Sequence, residues 1–404
     1  MEIRSITYFC NPSFPVNTLL LQKAGTFMRH ARTVFEEAGF SVQTARLATP
    51  PFPLYLNAET FTEGAQSLEF QAHGEGFDYV SIGPATADRP DSYAAIVDIL
   101  KSTSNLFVSG FTTTPNGELS MSAVHACAEV IKQAATLEKD GFANLRFAAL
   151  ANVSPWAPFF PAAFHIGSSP AFALALEAAD LAVDAFSSAA SLENARSQLI
   201  KAVESQATSL EEIGRKLESI YQVEFKGLDF TLAPYPTEAR SIGTALERLG
   251  VPAVGLHGSL AAATFITDTM DRANFKRCGF IGLMLPVLED SILALRAGEG
   301  SLGINDLLLY STVCGTGLDV IPLAGDTTTD HLYAVLLDLS SLALRLNKPL
   351  TARLMPIPGK KEGDPTDFEF EYFANSRVMP IKAEPLTGLL VGSDIYPIAP
   401  KKKI

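Results

Sequence analysis

Residues Leu308–Lys361 read LLYSTVCGTGLDVIPLAGDTTTDHLYAVLLDLSSLALRLNKPLTARLMPIPGKK. An apolar, strand-like run near Leu308–Val313 leads through turns to a helical period over Thr329–Leu346. A second strand-like run, Leu350–Pro356, follows. A strand, a helix of this length and a returning strand form the crossover unit of a mostly parallel sheet. The Asp326–Asp330 run (DTTTD) supplies hydroxyl and carboxylate caps for the helix that follows.

The same alternation runs through the rest of the chain. Further strands are expected near Arg4–Phe9, Ser41–Leu47, Asp78–Ile82, Leu106–Ser109, Leu145–Asn152, Leu228–Ala233, Gly279–Leu285 and Ser376–Ile381, giving ten in all. Helices are expected near Thr18–Ala38, Ser92–Lys101, Ser120–Glu138, Ala171–Ala207, Glu238–Leu249, Ser259–Asn274 and Leu288–Ala297. The expectation is an α/β fold in one domain spanning residues 1–404, with residues 1–150 as a semi-independent N-terminal half.

Composition narrows the function. Of 404 residues, 47% are hydrophobic and 19% charged, which favours one extensive core. A net charge of −13 leaves no basic surface to neutralise phosphates and argues against nucleic acid as a partner. Cys10, Cys127, Cys278 and Cys314 lie far apart, which suits a reducing compartment and disfavours a zinc knot. No leader pattern or uninterrupted apolar span of membrane length is present, so the expectation is a cytoplasmic protein with no membrane partner. An apolar chain of this size is compatible with a homodimer.

The chemistry-bearing residues gather in the second half. Cys314 precedes Gly315 and Gly317, whose N–H groups are placed to face an oxyanion, while Lys348 and Arg353 can supply the cation that lowers a thiol pKa. The plainer reading makes Cys314 a small buried residue at a strand end. His165 and His257 sit in turns where an imidazole serves as a base or caps the turn. Asp229 and Asp319 are candidate proton carriers. Arg353 lies inside the apolar run LTARLMPI, where a buried guanidinium needs an anion: Asp319, Asp229 or a substrate. Lys360, beside Gly359, is a further anion anchor. Acidic turns permit a divalent metal without indicating one. Neither G-x-G-x-x-G nor G-x-x-x-x-G-K-[ST] occurs, so no nucleotide cofactor is indicated.

Longer strings carry a family resemblance. NVSPWAPFFPAAFH (Asn152–His165), GLDFTLAPYP (Gly227–Pro236), GFIGLMLPVLED (Gly279–Asp290) and VCGTGLDVIPLAGDT (Val313–Thr327) resemble the pyruvate-formate-lyase-like family termed domain of unknown function 711, or uncharacterised protein family 0210. The resemblance implies a ten-stranded pyruvate-formate-lyase-like α/β barrel, with the Cys314 loop corresponding to a cysteine loop inside it. Glycyl-radical chemistry is not expected, because nothing after Met379 matches the Arg-Val-x-Gly-Tyr pattern of a radical-storing glycine. The resulting expectation is a non-radical enzyme acting on a small anionic metabolite at a barrel mouth. The alternative is a regulatory protein that binds the metabolite without turning it over.

Overall fold

The computed structural model describes residues 1–402. Among the described residues there are eleven strands: β1 (Glu2–Phe9), β2 (Val42–Ala48), β3 (Tyr79–Ala85), β4 (Leu106–Phe111), β5 (Leu119–Ser120), β6 (Phe147–Ala151), β7 (Ala171–Glu177), β8 (Glu224–Ala233), β9 (Gly317–Ala324), β10 (Leu350–Ile357) and β11 (Ile395–Tyr396). Nine form one sheet in the order β8-β7-β1-β2-β3-β4-β6-β10-β9, while β5 and β11 pair separately. Eleven α-helices accompany them among the described residues. The architecture is mixed α/β.

The five central strands run parallel to one another. The direction reverses between β1 and β7 and again between β6 and β10. One end of the sheet therefore gathers the N-terminal ends of β1, β2, β3, β4 and β6 with the C-terminal ends of β7 to β10. Side chains alternate across the sheet, as strand geometry requires. Ala45, Leu47, Val80, Ile82, Leu106 and Val108 enter the main core with the helices. Their neighbours Ala48 and Phe107 point to the other face, where an irregular segment around residues 152–165 packs. There the His165 N–H donates to the Thr49 carbonyl at 2.9 Å and Ser81 Oγ to the Ala163 carbonyl at 2.7 Å.

Three expected strands have other structures. Leu308–Val313 divides between the end of the helix Ile304–Tyr310 and the turn that follows, the helix being initiated where Asp306 accepts the Gly303 N–H at 2.8 Å. Ser376–Ile381 makes only isolated bridges. Gly279–Leu285 is irregular because Gly279, Ile281 and Gly282, three of four consecutive residues, have positive φ. The expected ten-stranded barrel is not confirmed: the hydrogen-bonded sheet has nine strands and is not closed.

Two strands were hidden. AFALALE (Ala171–Glu177) reads as the start of a helix, yet it pairs with β1 on one side and β8 on the other. Tertiary pairing overrides alanine's helix preference. GLDVIPLA (Gly317–Ala324) contains Pro322, which is tolerated because β9 is an edge strand.

Candidate functional site

A cavity of about 460 Å³ opens at the sheet end where the strand directions meet. Arg4 from β1, Arg46 from β2 and Arg353 from β10 all reach it, as do Asp229 and Glu289. Its size is that of an ordinary small-molecule pocket.

Two of the three guanidiniums are neutralised by protein. The Arg353 Nε–H donates to Asp319 Oδ1 at 2.6 Å and an Nη2–H to Glu289 Oε1 at 3.0 Å. The second Glu289 oxygen accepts from Arg4. Burial works against the charge on Arg353, but Asp319 and Glu289 outweigh it and hold its pKa above the usual value. For Glu289, burial is likewise overcome, by Arg4 and Arg353, and the carboxyl stays ionised.

Arg46 differs. Its Nε–H donates to Thr44 Oγ1 at 2.9 Å, and among the described residues no carboxylate lies within ion-pairing distance of it. Tyr79 and Phe160 flank the guanidinium, with ring centroids 5.8 and 5.1 Å from Cζ. Burial, reinforced by Arg4 and Arg353, pushes its pKa down to about 10, which leaves it charged at neutral pH. Of these three guanidiniums, Arg46 is thus the one that no carboxylate pairs.

Asp229 stands on the same wall, 1% exposed. Its carboxylate accepts the N–H groups of Phe280 at 3.0 Å and Ile281 at 3.3 Å. Burial dominates these bonds and pushes the pKa up to about 7. The positive-φ turn at Gly279 is what brings these N–H groups to Asp229: a Cβ on that glycine would lie 1.9 Å from Asp229 Oδ2.

The structure therefore brings Arg353, Asp319 and Asp229 together and leaves the other candidates apart. Cys314 is fully buried in the main core, and its carbonyl, not its thiol, receives the Lys348 ammonium. The Gly315 N–H donates to the Leu283 carbonyl at 2.8 Å. A Cβ on Gly315 or Gly317 would meet the backbone oxygen of Ile281 at 2.6 Å or of Thr351 at 2.5 Å. Both glycines thus serve close backbone packing. His165 is fully buried with neither ring nitrogen partnered, and burial pushes its pKa down to about 4. His257 is exposed on a loop, and Lys360 pairs with Asp367 at 3.3 Å on the surface. Among the described residues no group of three His, Cys, Asp or Glu side chains is placed to hold a metal ion. Glu289 and Asp319 instead converge on Arg353.

Sequence reasoning missed Arg4, Arg46 and Glu289 as a set. The signal that selected Arg353, an arginine within an apolar strand, is also present in EIRSITYF (Glu2–Phe9) and VQTARLA (Val42–Ala48).

Fold and site together define a mixed α/β protein with a cationic cavity at one end of its sheet. The chain belongs to the family described as uncharacterised ACR (DUF711), whose profile matches residues 1–373. Relatives include a UPF0210 protein of Pyrobaculum aerophilum, 31% identical over 353 residues, covering 82% of this chain and 77% of its own. One from Pyrobaculum islandicum is 32% identical over 355 residues, covering 83% and 78%. Another, from Syntrophobacter fumaroxidans, is 27% identical over 376 residues, covering 87% and 82%. No helix among the described residues is long and apolar enough to cross a membrane.

Proposed function

We propose that the cavity binds a small organic anion at Arg46, and that the protein is a non-radical enzyme using Asp229 to move a proton on the bound molecule. The observation that carries this reading is the contrast among the arginines. Arg4 and Arg353 are neutralised by Glu289 and Asp319, whereas Arg46 faces the cavity without a carboxylate. An unpaired, partly desolvated cation is costly, and a bound anion relieves the cost. Asp229 complements it, since a carboxyl with a pKa of about 7 gives and takes protons readily at neutral pH.

Hydrogen bonds also support a barrel reading of the fold. Cys278, Gly282 and Met284 donate to Leu228, Phe230 and Thr231 on β8, while Leu283 accepts from Gly315 just before β9. The irregular segment 277–286 thus spans the two edge strands, in the manner of a tenth stave.

The second reading is a metabolite-binding regulatory protein. It is favoured by one observation: neither the Cys314 thiol nor the His165 ring has a titratable hydrogen-bond partner. Thermal-shift measurements with small carboxylates on wild type, Arg46→Gln and Asp229→Asn test both. A ligand that stabilises wild type and Asp229→Asn but not Arg46→Gln establishes the anion site. Turnover of that ligand by wild type and not by Asp229→Asn makes it an enzyme. Binding without turnover in wild type supports the regulator.

A further inference from the structure

We infer that the molecule held at Arg46 is a monocarboxylate with an aromatic or similarly flat apolar body, and not a phosphate, a dicarboxylate or a small hydrophilic acid. This rests on the reading of Arg46 as the anion anchor and adds the class of ligand.

Charge sets the valence. Arg4, Arg46 and Arg353 face Glu289 and Asp319, which leaves one positive charge unmatched at the inner end of the cavity. Arg146 lines the cavity as well, but its guanidinium is occupied by the carbonyls of Thr103 and Leu100, at 2.9 and 2.7 Å, with Glu138 at 4.0 Å. Lys101 also lines the cavity, as an exposed residue. Beside Arg46, where Arg4 and Arg353 are already paired, a second negative charge on the ligand would find no free guanidinium and would face Asp229.

Donor count excludes a phosphate cradle. Such sites use several free backbone N–H groups converging on one anion. The N–H groups of Phe280 and Ile281 are taken by Asp229, and that of Gly315 by Leu283. A guanidinium with two free Nη groups instead matches the fork of one carboxylate.

The walls describe the rest of the ligand. Each of the three guanidiniums lies beside an aromatic ring: Arg46 by Tyr79 and Phe160, Arg353 by Phe159 at 5.6 Å, and Arg4 by Tyr372 at 5.9 Å. A carboxylate seated on Arg46 places the atoms behind it among these ring faces. Offset or edge-on stacking rewards a flat apolar body there, and acetate would leave most of the roughly 460 Å³ unfilled.

The test is isothermal titration of the full chain with benzoate, benzamide, acetate and inorganic phosphate, using wild type, Arg46→Gln and Arg46→Lys, each first checked for folding by circular dichroism. The expected result is benzoate binding at least tenfold tighter than acetate, phosphate or the neutral benzamide. It should weaken roughly tenfold or more in Arg46→Gln and be partly restored in Arg46→Lys. If acetate or phosphate binds as well as benzoate and depends on Arg46, the aromatic monocarboxylate inference is overturned while the anion site stands. If none of the four binds at millimolar concentration, or if benzoate binds equally to Arg46→Gln, both the inference and the reading beneath it fail.

Discussion

Arg353 and Asp319, on neighbouring strands β10 and β9, form an ion pair of 2.6 Å with both side chains nearly excluded from solvent. Glu289 closes the other side of the guanidinium at 3.0 Å and passes the contact on to Arg4. Four charged groups from separate parts of the chain are thereby paired with one another at the edge of a cavity, with Asp319 Oδ2 left without a hydrogen-bond partner. The pair anchors that wall, and Arg46 is the neighbouring guanidinium left without a carboxylate.

Replacing Arg353 should therefore be a stability lesion. Arg353→Met leaves Asp319 without its partner and removes one of the two cations holding Glu289. The cost expected is about 3–5 kcal/mol, because the surviving carboxylates stay buried. Urea denaturation of the two proteins measures it, and a loss below about 1 kcal/mol would show that the network contributes little.

Arg46→Gln should behave in the opposite way. It removes a cation that has no carboxylate partner and that faces Arg4 and Arg353. Stability should stay within about 1 kcal/mol of wild type or rise, while anion binding is lost. A drop in melting temperature comparable to that of Arg353→Met would mean that Arg46 has a structural partner.

The pH dependence follows from Asp229. Its pKa is about 7 in the folded protein and roughly 3.9 in an unfolded chain. Between these values the folded state holds a proton that the unfolded state has released. The associated stability is complete below about pH 4 and is lost as pH rises through 7. Asp229→Asn should lack this slope, so wild type should fall relative to the variant by a few kcal/mol between pH 4 and 7. Parallel denaturation curves at both pH values would contradict the raised pKa.

Gly279→Ala should prevent the tight turn at Asp229. The added Cβ would lie 1.9 Å from Asp229 Oδ2 on backbone of φ +71°. Strain and displacement of the carboxylate together should cost more than about 2 kcal/mol and lower the apparent pKa of Asp229. Thermal denaturation and a pH titration of the variant report both effects.

The thiols should be inert in the folded protein. Cys10, Cys127 and Cys314 are buried, and burial pushes the Cys10 thiol up to about 12 and raises Cys127 and Cys278 as well. Thiol titration at pH 8 should modify at most Cys278, which is only partly covered, until denaturant exposes all four. Rapid native modification of Cys314 would reopen a nucleophilic role.

What was legible in the chain depended on how local the signal is. The strand at Leu350–Pro356 and the capped helix after Asp326 were readable because apolar period and turn chemistry agree over a few residues. The edge strand Gly317–Ala324 was not, since its Pro is tolerated only where one side lacks a ladder partner and its buried Asp only beside Arg353. Glycines at 315 and 317 invited an oxyanion reading, while the folded chain uses their missing Cβ atoms to bring backbones together.

By itself the sequence determined the α/β class, the family and the need of Arg353 for a buried anion. These follow from composition, period, long shared strings and the cost of desolvating a charge. Only the tertiary structure decided that Asp319 and Glu289 are that anion, that Arg46 is left without one, and that Asp229 shares its cavity. Strands distant in sequence become neighbours through two reversals of direction across the sheet. Which charges then cancel depends on distances of a few ångströms between residues hundreds of positions apart.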